Sequence, residues 1–467
     1  LFLGCSLAGA ACVIVSRGLN TTQETPMLGK TILIKFIPAV LALMAVFGMG
    51  NVMAQAVTTT EYTLEQALTQ EKQGALSLSQ ALALAEQRSE ALRAQDAATQ
   101  AAQSQATAAG ELPDPMLNLE VINIPANGPD QFSLAADFMT MRGVGVSQTF
   151  TRKDKREAQA SVFNKNAEFA QAGKLQALSR LRTATAQAYL DRFYLQEILA
   201  LLQSQRVELE LQIEAADALY RSGKAPQTDV FAARTELGLM DLKIQDTQAL
   251  LDNAQAELQR WVGEQADAPL AGAVDLSQSR LSAVDLFETL HQHPEVLALD
   301  KAESMALAEA EVKQQEKSAD WTLSVMYAGR GPEFSEMLSF GASRPLFVDQ
   351  DNRQNQALAA ANAMATKAKA ERIELHREHL AQTKRWQQTW QSNLRRVADF
   401  DRSLIPLTQQ RTQAALSAYQ GATGTLAEVL AARRMEIDMR MEKLRIQMDT
   451  ARLWAQLEYL IPSEVQP

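Results

Sequence analysis

The stretch Tyr220-Arg221-Ser222-Gly223-Lys224-Ala225-Pro226-Gln227-Thr228-Asp229-Val230-Phe231-Ala232-Ala233-Arg234 has a counterpart later in the chain. It is Tyr419-Gln420-Gly421-Ala422-Thr423-Gly424-Thr425-Leu426-Ala427-Glu428-Val429-Leu430-Ala431-Ala432-Arg433. In both, an acid stands nine residues after the Tyr and is followed by two apolar residues and Ala-Ala-Arg. The offset of 199 residues persists to Leu258 and Leu457. Upstream, Leu76-Ser77 and Glu90 match Leu281-Ser282 and Glu295 at an offset of 205. Asp114, Leu117 and Leu119 match Asp320, Leu323 and Val325 at 206, and Ser147 matches Ser343 at 196. Small changes of offset are what loop insertions produce, so the chain reads as one unit written twice.

Each copy carries the same order of elements. A helical segment rich in Ala and Gln comes first, 78–112 and 283–319. Two strand-like runs follow, 116–122 and 143–150 in the first copy and 322–327 and 338–347 in the second, around loops bearing Gly and Pro. A very long helix is expected over 153–222 and 351–420, then a Gly-containing turn and a return helix over 227–262 and 426–460. The fold class is therefore mainly α with a small β part. The domain division is an N-terminal segment 1–56, a linker 57–75, a first repeat 76–263, a linker 264–280, a second repeat 281–461 and a tail 462–467.

Leu181, Ala188, Leu195, Leu202, Leu209 and Ala216 share one seam of the first long helix, and Val230, Leu237, Ile244, Leu251 and Leu258 one seam of its return helix. An apolar period of seven held this long means coiled-coil packing. The single turn between the partners makes them antiparallel, and roughly 70 residues at 1.5 Å each give a rod of about 105 Å.

With 467 residues, 46% apolar, 21% charged and 6% aromatic, the chain is neither collagen-like nor disordered nor a typical all-β protein. A net charge of −10 makes nucleic acid an unsuitable partner. Met27, Lys30 and Lys35, the apolar run from Phe36 to Met49, and Ala54-Gln55-Ala56 form the three regions of a secretory signal, with cleavage expected after Ala56. Residues 1–26, ahead of Met27, are a candidate untranslated upstream segment. Both cysteines, Cys5 and Cys12, precede the cleavage point, so the mature chain has no thiol for a disulfide or a metal. Two hairpins per chain leave strand edges unpaired, a hazard that closure by several chains into one barrel removes.

The duplicated turn motif, from Gly223 to Arg234 and from Gly421 to Arg433, and the order helix, hairpin, long helix, return helix resemble the TolC-like outer membrane efflux protein family over nearly all of 76–461. Pro113-Asp114-Pro115-Met116-Leu117-Asn118-Leu119 and Asp137-Phe138-Met139-Thr140-Met141-Arg142 are similar to its heavy-metal branch. The resemblance implies a homotrimer whose hairpins make a 12-stranded barrel in the lipid of the cell outer membrane and whose helices make a periplasmic tunnel. It also implies a periplasmic adaptor (membrane fusion) protein and an inner-membrane RND-type pump as partners, with no cofactor and no enzymatic activity. Many members of the heavy-metal branch carry a lipid on an N-terminal cysteine; here Ala56 precedes Val57 and no cysteine stands at the junction. The rival from another class is a soluble periplasmic coiled-coil adaptor or scaffold, which shares the helical hairpins but has no need of paired strands.

Candidate residues cluster at the turns. Asp229 and Glu428 start the two return helices and would form a cation-favouring ring if six of them faced a threefold axis. The competing reading is capping, since Thr425-Leu426-Ala427-Glu428 is a capping-box pattern. Arg221, Gly223, Lys224, Pro226, Gly421, Gly424 and Thr425 are the candidates for the turns themselves and for docking an adaptor. No metal site is assigned: His376 and His379 are read as a solvated helix face among Glu and Arg, and His291-Gln292-His293-Pro294 as an ordinary helix or loop face. Met139 and Met141, and Met435, Met439 and Met441, are read as packing residues.

Overall fold

The computed structural model describes residues 74–281, 286–421 and 423–463. The expected export signal, its cleavage after Ala56, the linker up to residue 73 and the tail after 463 lie outside the described residues.

The fold is mainly helical with one small sheet. The first segment divides into α1 (Leu78–Arg88) and α2 (Glu90–Gly110), because the Ser89 hydroxyl accepts the Leu92 N–H and starts a new helix. Strands β1 (Met116–Ile122) and β2 (Met141–Phe150) lead into α3 (Lys153–Arg221). Its 69 residues make a rod of about 100 Å. The return helix α4 (Gln227–Val262) follows. The second half repeats the order with α5 (Pro294–Gln315), β3 (Trp321–Gly329) and β4 (Met337–Ser343). Pro345, two residues on, has no N–H to continue the ladder, which shortens the strand expected to reach 347. Next come α6 (Gln354–Asp399), a π turn at Phe400–Leu404, α7 (Ile405–Gln420) and the return helix α8 (Leu426–Glu458). One continuous helix over 351–420 was expected; Pro406 lacks the N–H of an i→i−4 bond, and the wider π turn just ahead of it takes up the misfit.

The seams lie where a period of seven puts them. Leu181, Ala188, Leu195, Leu202, Leu209 and Ala216 are all buried, as are Val230, Leu251 and Leu258. Leu195 and Leu251 form a small cluster with Leu199, and most of the others feed two larger cores. One joins Leu76, Leu78 and Ala81 to Tyr189 and Leu190 of α3, Leu258 of α4, Trp390 of α6 and Trp454 of α8. It is tied by Tyr189 Oη donating to the Leu76 carbonyl at 3.0 Å. The other lies toward the turns and packs Leu202, Leu209 and Ala216 against Val230, Met240, Leu426, Val429 and Ile437.

The four strands form a single antiparallel sheet in the order β1-β2-β3-β4, so the hairpins of the two copies pair with each other through β2 and β3. The register lines up Leu117, Val146, Val325 and Phe340 in one row and Leu119, Val144, Tyr327 and Leu338 in the next. Both rows lie on the same face, and each of the eight side chains is at least 45% exposed. The opposite face carries Gly143, Gly145 and Ser147 on β2 and Ser324 and Met326 on β3. Met326 lies so close over β2 that a Cβ on Gly145 would sit 3.0 Å from its own Cβ and 2.7 Å from the Val325 carbonyl oxygen. Asp320 ties the sheet to the rods: its carboxylate accepts from Lys155 Nζ at 2.7 Å and from the Arg152 amide at 3.1 Å, joining the start of β3 to the start of α3. Among the described residues no helix is long and apolar enough to cross a membrane.

Candidate functional site

The α3–α4 turn is built by backbone hydrogen bonds. Ser222, Gly223 and Lys224 donate to the carbonyls of Ala218, Tyr220 and Leu219. Gly223 takes φ +69°, a left-handed conformation that is inexpensive only for glycine. Pro226 precedes the first turn of α4 and gives no side-chain cap, while Asp229 sits in that turn, where a negative charge suits the helix dipole. Arg221 is exposed and pairs with Asp217 at 2.5 Å. Lys224 is exposed as well.

The α7–α8 turn reaches the same reversal by other means. Gly421 has φ −78°, an ordinary right-handed value. Thr423 and Gly424 both donate to the Ala418 carbonyl, at 2.9 and 3.1 Å. Thr425 and Glu428 form the complete capping box: the Glu428 amide donates to Thr425 Oγ1 at 3.3 Å, and the Thr425 amide donates to Glu428 Oε2 at 2.9 Å. The Glu428 carboxylate thus folds back on its own helix end while the residue stays exposed. Asp229 lies near the half-buried Tyr419, whose hydroxyl is pushed up first by burial and then by the Asp229 charge. The two turns therefore meet side by side, with an acid from each copy in the same neighbourhood.

Ion pairs lace α8 to the helices of the first copy. Arg433 reaches Glu208 at 2.6 Å, Lys243 reaches Asp438 at 3.0 Å, and Arg434 pairs with Glu236. Arg452 grips both oxygens of Asp191, at 2.7 and 3.1 Å. Each exposed pair contributes about 0.2–1 kcal/mol, so the turns are held mainly by the apolar core between them.

His291 is exposed, as a surface helix or loop face would be, but the other three histidines lie further inside than the sequence suggests. His376 is buried, only 7% exposed, and His379 is half-buried. Buried residues of α6 include His376, Thr383 and Trp390, a seam with a period of seven made of polar and large groups in place of aliphatic ones, which is why it read as a solvated face. His293 is the buried N-cap of α5: its Nδ1 accepts the Glu295 N–H at 3.2 Å. Rings stack in two pairs, His291 on His376 at 4.3 Å and His293 on His379 at 3.9 Å. Burial, then the neighbouring His379, push His293 down to about 3. Burial alone would raise the Glu295 carboxyl, but hydrogen bonds from Arg180 and Gln176 and the neighbouring histidines hold it at about 2. The pattern His-x-Glu at 293–295 was the one available signal, and it points to no partner until α6 is packed beside it. Of the methionines, Met441 is buried in the core behind the turns, whereas Met435 and Met139 are exposed.

No protein-family model matches the sequence, and no curated protein matches it. Solved structures do. The chain is similar to CusC, a protein characterised for its folding and transmembrane channel formation, with 18% identity and a TM-score of 0.68 over 82% of this chain and 91% of that one. The outer membrane protein VceC of Vibrio cholerae matches at 18% identity and TM-score 0.68, over 82% of this chain and 95% of VceC. The outer-membrane channel OprN matches at 16% and 0.68, over 84% and 91%. The fold is that of the TolC-like outer membrane channels.

The capping box yields a direct expectation. Thr425→Ala removes the side-chain acceptor at the start of α8, costing about 1 kcal/mol and speeding amide exchange at 427–429 roughly fivefold. Hydrogen exchange followed by mass spectrometry reads this, and unchanged protection there would mean that the core alone fixes the turn.

Proposed function

We propose that the chain is the outer-membrane exit duct of a tripartite efflux system, passively conducting substrate from a periplasmic adaptor and an inner-membrane RND-type pump to the exterior. The observation that carries this reading is the sheet. One face is a continuous apolar surface of Leu, Val, Tyr and Phe, the other mixes Gly, Ser and Asn with Met, and the outer edges of β1 and β4 pair with no strand among the described residues. Water is a poor solvent for that face, and lipid a poor solvent for those edges; a barrel closed from several copies satisfies both. Three copies give 12 strands, each chain contributing the hairpins of the two repeats, 76–263 and 281–461. A soluble periplasmic scaffold would keep the rods but has no use for such a sheet.

The remaining parts follow from this arrangement. The helices form the periplasmic tunnel, and the export signal delivers the chain to the outer membrane. Heavy-metal cations are the proposed cargo, on the similarity of the Pro113–Leu119 and Asp137–Arg142 runs to that branch. The turns close the inner end of the tunnel, and Asp229 and Glu428 of three chains form a ring of six acids that favours cations. Arg221, Gly223, Lys224, Pro226, Gly421, Gly424 and Thr425 offer the surface on which the adaptor docks.

Membrane fractionation with cross-linking of the detergent-extracted protein tests the duct: the expected result is a trimer in the outer membrane, and a soluble monomer or dimer overturns it. In planar bilayers, Asp229→Asn with Glu428→Gln lowers the preference of single channels for cations over anions; an unchanged preference removes the acid ring. Arg221→Glu with Lys224→Glu leaves the trimer intact but abolishes cross-linking to the adaptor, and normal cross-linking and resistance would remove those two residues from the docking surface.

A further inference from the structure

All four histidines of the chain meet at one junction, although 85 and 86 residues separate the two pairs of stacked partners. His293 and Glu295 come from the first turn of α5, and His379 from the middle of α6. One potential ligand atom from each of the three lies within 4.8 Å of the others. His379 Nε2 is 2.8 Å from Glu295 Oε2. The other carboxylate oxygen is occupied by Arg180 at 2.6 Å and Gln176 at 2.9 Å, both from α3, which fix the carboxylate plane and leave Oε2 toward the histidines. A cleft of about 340 Å³ lined by these residues opens onto the three groups and admits an ion with its water. One turn away on α6, the His376 Nε2 atom is buried without a hydrogen-bond partner among the described residues.

We propose that His293, Glu295 and His379 bind one divalent transition-metal ion per chain, of the Zn²⁺ class, clipping the start of α5 to α6. Two imidazole nitrogens and one carboxylate oxygen are the donor set of three-ligand zinc sites that keep a fourth position for water, and imidazole suits Zn²⁺, Cu²⁺ and Ni²⁺ far better than Mg²⁺ or Ca²⁺. The geometry is close to what such an ion needs. Two ligand atoms on one tetrahedral zinc, each about 2.0–2.1 Å from it, stand roughly 3.3 Å apart, so the contact between His379 and Glu295 has to open by about half an ångström. Arg180 opposes the incoming charge, but it also neutralises only the oxygen the ion does not use. Coordination through His293 Nε2 moves that ring's proton to Nδ1 and releases its bond from the Glu295 amide. The site is independent of the duct reading, since its residues hold the helices together whatever the tunnel carries.

The test uses the full chain in detergent, stripped with a chelator and titrated with Zn²⁺ by calorimetry, with metal content read by mass spectrometry after dialysis. One Zn²⁺ per chain is expected, with a rise in melting temperature on loading. His379→Gln and Glu295→Gln each weaken binding by about tenfold or more and abolish that rise, whereas Glu374→Gln, an exposed acid on the same helix paired with Arg377, leaves both unchanged. Should either ligand variant fail to fold, the wild-type titration still decides. Absence of saturable Zn²⁺ binding overturns the site, and so does stoichiometric binding that survives both ligand substitutions.

Discussion

The constraint on which the structure depends is the backbone edge. Strands β1 and β4 each present an outer row of N–H and C=O groups, and the sheet between them is apolar on one face. An unpaired peptide group removed from water costs several kcal/mol, so this sheet cannot enter lipid alone and is poorly placed in water. On the proposed reading the strands need only cross a hydrocarbon layer: β2 spans ten residues and β3 nine, against the 9–11 or so that a tilted membrane strand uses, while β1 and β4 span seven each. The small residues of β2 serve the same end. Gly143 and Gly145 let the Met326 side chain lie directly over the strand, keeping that face shallow where the opposite face is bulky.

The helices then have to hold such a sheet away from whatever lies at their far ends, and they do so with narrow seams rather than a globular core. Seven-residue spacing along α3 buries a line of Leu and Ala, while the charged flanking positions Glu208 and Asp191 pair across to α8 through Arg433 and Arg452, and Arg434 of α8 pairs with Glu236 of α4. The two copies solve the same length differently. Helix α3 runs without a break, whereas its counterpart is interrupted by the π turn at Phe400–Leu404 before Pro406. A π turn inserts an extra residue and rotates the downstream face, so α7 and α6 cannot present one continuous stripe. Lys443 of α8 bonds Asp401 within that turn at 2.6 Å, which fixes the irregular segment against the return helix.

Most of the fold was legible because its signals were periodic or repeated. The seven-residue seam predicted the burial of Leu181 through Ala216, and the duplicated motif located both turns to within a residue or two. What escaped was set by single residues or by packing between distant segments. Ser89 divides the first helix through one side-chain bond, and a single residue, Pro406, breaks an otherwise helical run. Neighbouring charges hid the α6 seam: Glu374, Arg377 and Glu378 flank Leu375 and His376, and hydropathy averages the stretch into a solvated face although His376 is buried. The histidine cluster was illegible for the same reason. Its members come from two elements, and only the packing of α5 on α6 brings them together.

The two turns differ in chemistry as much as the two long helices differ in regularity. At the first, a left-handed glycine and an uncapped Pro226 leave the start of α4 with fewer hydrogen bonds, and Asp229 keeps its carboxylate available to its surroundings, Tyr419 among them. At the second, Thr425 and Glu428 satisfy each other, so the acid there is partly spent on its own helix. Two acids at equivalent sequence positions therefore do not carry equal weight in any shared ring. Asp229 is the freer charge, and moving Glu428 toward an axis requires giving up a hydrogen bond that holds the first turn of α8. The α3–α4 turn is accordingly the less capped half of the pair, and the α7–α8 turn is the one closed by reciprocal side-chain bonds.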